Sequence, residues 1–150
     1  MGKQTVVAML GMLLACAGPA VAFELVTEAE ALAEQGAKPG PRARSLPTPG
    51  APQIELLSPA LGKGITSPLD IRLRWQAQDG AAIDADSVRV KYGRFGLDVT
   101  SRVLAAAKVG PAGIEAPGAK LPVGEHRLAF EVSDTQKRVG RREFVVEVVP

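Results

Sequence analysis

The sequence predicts an all-β domain, an antiparallel β-sandwich of about seven strands. Between residues 53 and 150 apolar and polar side chains alternate with a period of two, which is the pattern of strands buried on one face. Glycine, proline and aspartate recur between these segments, where the chain must turn. Strands separated this closely by turns favour a sandwich over parallel strands joined by crossover helices.

The first 22 residues have the pattern of a signal peptide. Lys3 gives the positive start, and residues 5–15 form an uncharged apolar run that is too short to span a bilayer. Ala20-Val21-Ala22 has small residues at the alternating positions that a signal peptidase accepts. We therefore predict cleavage before Phe23 and a periplasmic or secreted mature chain.

Cys16 supports an alternative to that cleavage. Leu13-Leu14-Ala15-Cys16 resembles a lipobox, whose cysteine is lipidated and becomes the mature N-terminus. Leu14 is bulkier than the small residue that suits this position, so soluble release is preferred, and a membrane-anchored lipoprotein with Cys16 lipidated is the alternative. No cysteine follows Cys16, so the domain must fold without a disulfide.

Residues 23–52 predict a short acidic helix followed by a proline-rich linker. Thr27 and Glu30 have capping-box spacing, which indicates a helix from Glu28 to Gln35 that ends at Gly36. So short a helix is ordered only when it docks on the domain or on a partner, and a solvated acidic leader is the favoured alternative. Residues 37–52 contain five prolines, which predict an extended spacer, and the domain is expected to begin at residue 53.

Several segments of the domain alternate as strands do. They lie at residues 54–56, 70–77, 88–92, 125–132 and 143–148, with a further short candidate around Ile114. Turns are predicted at residues 79–80, 93–96, 110–111, 117–118 and 122–124. Residues 98–108 fit either a strand or a helix, and we assign a strand followed by a turn. Trp75, Tyr92, Phe130 and Phe144 are expected in the core.

Residues 53–150 resemble the bacterial immunoglobulin-like and fibronectin type III-like modules of secreted and envelope proteins. The correspondences are residues 87–93, 97–100 and 121–134, where leucine, proline and glycine precede the penultimate strand and an aspartate ends it. The hairpin at residues 135–140 departs from the pattern, because the family usually has a glycine sooner, and it leaves the register of the last strand open. The resemblance implies an immunoglobulin-like sandwich and an extracytoplasmic setting, and such a fold hosts many functions.

The charge distribution disfavours nucleic acid as a partner. The formal net charge is only +2, and residues 53–150 carry 14 bases against 12 acids. The basic side chains of the strands are expected to form solvated faces in which Glu residues are interspersed.

No catalytic, cofactor-binding or metal-binding residue is predicted. His126 is the only histidine. The domain has no cysteine and no G-x-S-x-G elbow that would supply a nucleophile for it to activate, so we expect His126 to stabilise a structural corner of the sandwich. Five aspartates fall in predicted loops, where turn formation is favoured over calcium binding: Asp79, Asp84, Asp86, Asp98 and Asp134.

The leading functional hypothesis is a non-enzymatic binding or structural module of the bacterial cell envelope that needs no cofactor. Its expected partner is an envelope protein or a glycan, with membrane contact only if Cys16 is lipidated. The second hypothesis is the lipid-anchored form of the same module, and the third is a carbohydrate-binding accessory domain of a hydrolase system.

Overall fold

A computed structural model describes residues 21–38 and 46–150. Within these ranges the chain forms an immunoglobulin-like β-sandwich of two sheets. Cys16 and nearly all of the predicted signal peptide lie outside the described residues. No described helix is both long and apolar enough to cross a membrane.

The described ranges contain nine strands and two short helices. In chain order they are β1 (Phe23–Glu24), α1 (Glu28–Gln35), β2 (Gln53–Ser58), β3 (Leu69–Gln76), β4 (Ile83–Tyr92), β5 (Leu97–Asp98), α2 (Thr100–Ala106), β6 (Lys108–Gly110), β7 (Gly113–Lys120), β8 (Gly124–Asp134) and β9 (Val139–Val148). The predicted β-sandwich is confirmed, and the strands predicted from period-two alternation are all present.

One sheet has the order β1-β7-β3-β2, with β6 also paired to β7, and the other has the order β5-β4-β8-β9. All the pairs are antiparallel except β1 with β7, which is parallel. The core between the sheets is closed by the inward residues of each strand, because successive side chains of a strand point to opposite faces. All four predicted core aromatics are buried, and the Trp75 indole donates a 3.0 Å hydrogen bond to the Gly110 carbonyl.

The assignment of residues 98–108 as a strand and a turn is wrong, because a helix follows the two residues of β5. Val99 and Val103 are fully buried and lie four residues apart, so they share the helix face that meets the core. The Asp98 carboxylate accepts a hydrogen bond from the Thr100 amide, and the Thr100 hydroxyl accepts one from the Val90 amide. These side-chain bonds end the strand and begin α2 beside β4.

The turn predicted at residues 117–118 is also wrong, because Pro117 and Gly118 lie within β7. The pairing of β3 with β7 shifts register there, so that Leu69 faces Ala119 while Ile71 faces Ala116. Gly118 has a φ of 70° and donates its amide to the Asp70 carboxylate. A proline and a left-handed glycine therefore form a β-bulge here rather than a chain reversal.

The hairpin between β8 and β9 is tight, and its geometry fixes the register that the sequence left open. Val132 faces Gly140 and Ser133 faces Val139. The Lys137 amide donates to the Asp134 carbonyl, and Lys137 has a φ of 62°, a conformation that usually favours glycine.

Candidate functional site

The buried polar group at the start of β8 is His126, which has no solvent exposure. Its Nε2 lies 2.7 Å from the Pro122 carbonyl oxygen and its Nδ1 lies 2.9 Å from the Tyr92 hydroxyl. Because a carbonyl only accepts, Nε2 carries the proton, and the neutral Nδ1 accepts from Tyr92. This arrangement ties the end of β4 to the start of β8, where a structural corner was predicted.

Burial shifts the pKa values of both the His126 imidazole and the Tyr92 hydroxyl. It lowers the pKa of His126, and the hydrogen bond to Pro122 opposes this lowering. Burial, with the carboxylates of Glu34 and Glu30 nearby, raises the pKa of Tyr92 to about 12. A general base must come within hydrogen-bond reach of a substrate proton, whereas His126 has no exposed surface that a substrate could approach.

The N-terminal segment, residues 23–36, packs against this same end of the sandwich. Phe23 and Glu24 extend the first sheet beside Ala119 and Lys120, and Leu25 and Val26 are buried in the core. The core therefore extends to residues before position 53, and the solvated acidic leader is not what the structure shows.

Helix α1 has the limits that its sequence predicts. The Thr27 hydroxyl accepts from the Glu30 amide, and the Glu30 carboxylate accepts from the Thr27 amide, which completes the capping box. Ala31 is buried against the domain, whereas Leu32 is 67% exposed on the outer face of the helix. The apolar docking face of α1 is thus short, and polar contacts supplement it.

Two arginines of the sandwich hold α1. Both terminal nitrogens of Arg102 lie 2.8 Å from the two carboxylate oxygens of Glu30, and one of them also donates to the Leu25 carbonyl. The Arg94 amide donates to the Glu34 carboxylate. The bonds from Arg102 and Thr27 lower the pKa of Glu30 to about 2. Acidic residues of the leader therefore meet basic residues of the domain.

Four of the five aspartates weighed as calcium ligands, all except Asp86, bind other groups of the domain. Asp134 is fully buried and accepts from the Gln136 amide, the Arg138 amide and the Arg138 side chain. Arg138 also donates to Asp79, and Lys137 lies 3.9 Å from Asp84. Among the described residues no group of three His, Cys, Asp or Glu side chains is arranged to hold a metal ion.

The outer sheet faces carry cross-strand ion pairs. Arg72 pairs with Glu115 on the first sheet, and Glu131 pairs with both Lys91 and Arg141 on the second. These pairs agree with the solvated, mixed-charge faces that the sequence predicts, and each exposed pair adds little stability.

The exposed aromatic Phe95 stands out on the surface. It occupies the turn between β4 and β5 and is 76% exposed. Its neighbour Arg94 binds α1, so Phe95 lies close to the docked leader. Aromatic side chains, phenylalanine among them, are enriched at protein–protein interfaces relative to the rest of the surface. The sequence shows the Gly93–Gly96 turn but not that Phe95 points away from the core.

The site and fold together define an immunoglobulin-like β-sandwich whose buried polar groups stabilise its own corners and turns. No family model and no curated protein match this chain. Among solved structures it is similar to the crystal structure of CopC from Methylosinus trichosporium OB3b, with 18% sequence identity, 65% of this chain and 95% of that chain covered, and a TM-score of 0.45. A likeness at this level carries no functional argument.

Proposed function

We propose that this chain is an exported, non-enzymatic binding or structural module of the bacterial cell envelope. The observation that carries the proposal is the double hydrogen bonding of His126, which commits the only imidazole of the chain to Tyr92 and Pro122. Asp134 is likewise committed to its hairpin. These buried polar side chains thus stabilise the fold, and we propose that exposed residues bind the partner.

Export is supported by the N-terminal sequence together with the position of β1. The predicted cleavage before Phe23 leaves the whole of β1 in the mature chain, because β1 begins at Phe23. Mass spectrometry of the protein purified from its native envelope should find Phe23 at the N-terminus. A lipid-modified Cys16 would instead support the lipoprotein alternative.

The proposed contact surface is the turn that carries Phe95, beside the docked helix α1. A capture experiment would use residues 23–150 as bait on native envelope extract, because residues 23–36 are part of the fold. Phe95→Ala should reduce capture of the partner at least tenfold, because aromatic side chains are enriched at interfaces and truncation of an anchor residue commonly costs about 2 kcal/mol or more. Val139→Ala, which alters an exposed residue at the hairpin end of the sandwich, is the matched control.

A panel of envelope polysaccharides separates the remaining alternatives. Retention of a protein by the wild-type bait supports the leading proposal, and retention of a glycan alone supports the carbohydrate-binding accessory domain. Equal capture by wild type and Phe95→Ala would place the contact elsewhere, and failure to capture either kind of partner would contradict the binding proposal.

A further inference from the structure

Strand β9 forms one edge of the second sheet, since among the described strands it pairs with β8 alone. Successive residues of a strand direct their N–H and C=O groups to opposite sides in the plane of the sheet. The Glu147 carbonyl accepts from the Ile65 amide, and the Ile65 carbonyl accepts from the Val149 amide, both at 2.9 Å. The odd-numbered residues of β9 therefore direct their main-chain groups away from β8.

The chain covers both ends of this edge and leaves its middle open. At one end Ile65 lies beside Val148 in a parallel bridge. At the other end the Pro52 carbonyl oxygen lies so close to Gly140 that only a glycine leaves room for it. Between these two contacts, the outward main-chain groups of residues 141–145 have no hydrogen-bond partner among the described residues.

Arg141, Glu143 and Val145 carry the open main-chain groups, and all three residues are exposed. Such groups are a template on which an extended peptide adds as a further strand. Charged side chains often protect an edge from this pairing. Here, however, the Arg141 side chain pairs with Glu131, and that of Glu143 pairs with Arg127, on the outer face of the sheet.

The space beside the open edge is lined by both sheets. The edge strand β2 of the first sheet contacts β9, and Leu57 of β2 lines the same groove as Arg142 and Phe144. The Arg142 guanidinium lies 5.9 Å from the centre of the Phe144 ring and forms no salt bridge within the described ranges. An acidic side chain beside Arg142 and an apolar one beside Phe144 would complement this groove.

A second copy of β9 complements the edge less well than such a peptide does. Antiparallel pairing of residues 141–145 with themselves is centred on Glu143, so it sets this carboxylate opposite its own copy. Like charges directly opposite each other destabilise a strand pair. It also brings no acidic side chain opposite Arg142, since residue 144 of the copy then lies there.

We propose that the open edge of β9 binds an extended segment of a partner protein, which adds to the second sheet as a further strand. The segment runs parallel to β9, as Ile65 does. It carries an acidic residue beside Arg142 and, two residues later, an apolar residue beside Phe144, because alternate residues of a strand share a face. The turn of Phe95 adjoins β4 and β5 at the opposite edge of this sheet, so the two binding proposals are independent.

A proline substitution provides the first test. The probe is a fluorescent seven-residue peptide in which threonine alternates with one aspartate followed by two valines, and anisotropy measures its binding to residues 23–150. Val145→Pro removes an N–H that points away from β8, a place where an edge strand tolerates proline. It should weaken binding about tenfold or more, whereas Val145→Thr, which keeps the N–H, should bind as the wild type does. Equal binding by the two variants would overturn the inference.

N-methylation of the peptide tests the main-chain pairing without altering the protein. Only every second residue of an added strand directs its N–H toward β9. Of two peptides methylated at alternate sets of residues, one should lose binding about tenfold or more and the other should keep it. Equal effects of the two sets of methyl groups would exclude a strand addition.

Reversal of charge tests the predicted chemistry of the partner. Arg142→Glu should weaken binding of the aspartate peptide and strengthen binding of a peptide with lysine in its place. Phe95→Ala is the control, and it should bind both peptides as the wild type does. If the wild type does not bind the aspartate peptide, or binds the lysine peptide equally well, the inference is wrong, and the proposal for Phe95 is unaffected.

Discussion

The Tyr92 hydroxyl and Nδ1 of His126 lie 2.9 Å apart in the interior, and they join neighbouring strands of the second sheet at the end where α1 docks. The bond fixes His126 as a neutral acceptor at Nδ1. The corner is therefore sensitive to protonation, because a charged imidazole must donate from both ring nitrogens.

The stability of the domain should decrease as the pH falls below that at which His126 titrates in the unfolded chain. Burial lowers the pKa of His126 below 6.5, so the unfolded state binds the proton first. The stabilisation is complete above about pH 6.5 and decreases by up to about 1.4 kcal/mol per pH unit below it, down to the folded pKa. Urea unfolding between pH 7.5 and 5, followed by the fluorescence of Trp75, measures this dependence.

His126→Phe is the comparison for that measurement. At pH 7.5 the variant should be less stable by about 1–3 kcal/mol, because the Tyr92 hydroxyl and the Pro122 carbonyl lose their partner. Its stability should then change less than that of the wild type between pH 7.5 and 5. Parallel pH profiles of the two proteins would rule out His126 as the titrating group.

Leu25 should be as important to stability as residues of the main strands. It is fully buried, so Leu25→Ala should lower the free energy of unfolding by about 2–5 kcal/mol. Leu32→Ala is the control on α1, and it should change stability by less than about 0.5 kcal/mol because Leu32 is largely exposed. Similar small effects of the two substitutions in thermal and urea unfolding would mean that the leader is not part of the cooperative fold.

The sequence predicts the sandwich because period-two alternation depends only on which face of a strand is buried. Leu25 and Val26 lack that signal, because they lie in a bend directly after the two-residue strand β1, with no alternating segment around them. The capping box of α1 can be recognised in the sequence because its two residues are three positions apart. The hydrogen bonds from Arg102 to Glu30, in contrast, join residues 72 positions apart. The limits of α1 could thus be predicted, and its docking could not.

The wrong assignment of residues 98–108 also arises because contacts between residues distant in sequence determine the structure there. Val99 and Val103 fit a strand or a helix equally well, and the Thr100 contact with Val90 decides between them in the folded protein. The expectation that His126 stabilises a structural corner rests on the absence of any sequence motif that would pair this histidine with a nucleophile. Its two bonding partners depend on how β4 and β8 pair, which no local pattern encodes.

Glu30 should stabilise the docked leader above pH 4.5 and lose this effect as the pH falls toward 2. Its folded pKa of about 2 lies below the ordinary value of 4.5, so the unfolded chain takes up the proton first. Glu30→Gln should lower stability at pH 7 by about 1 kcal/mol, as the loss of a helix cap does. Thermal melts at pH 7, 4.5, 3 and 2 measure the effect.

Glu28→Gln serves as the matched control, because Glu28 is an exposed carboxylate in the same turn of α1. The difference in melting temperature between wild type and Glu30→Gln should narrow between pH 4.5 and 2, while the difference for Glu28→Gln stays small throughout. If the difference in melting temperature between wild type and Glu30→Gln stays constant across this range, the stabilising effect of Glu30 does not depend on its negative charge.

Lys137 occupies a backbone conformation that suits glycine, and its replacement should stabilise the hairpin. Its φ of 62° brings Cβ close to the following carbonyl, a strain that glycine lacks. Lys137→Gly should therefore raise the free energy of unfolding by about 0.5–1 kcal/mol relative to Lys137→Ala. Both variants remove the long contact with Asp84, so comparing them by urea unfolding isolates the backbone effect. An alanine variant as stable as the glycine variant would show that the turn accommodates Cβ without strain.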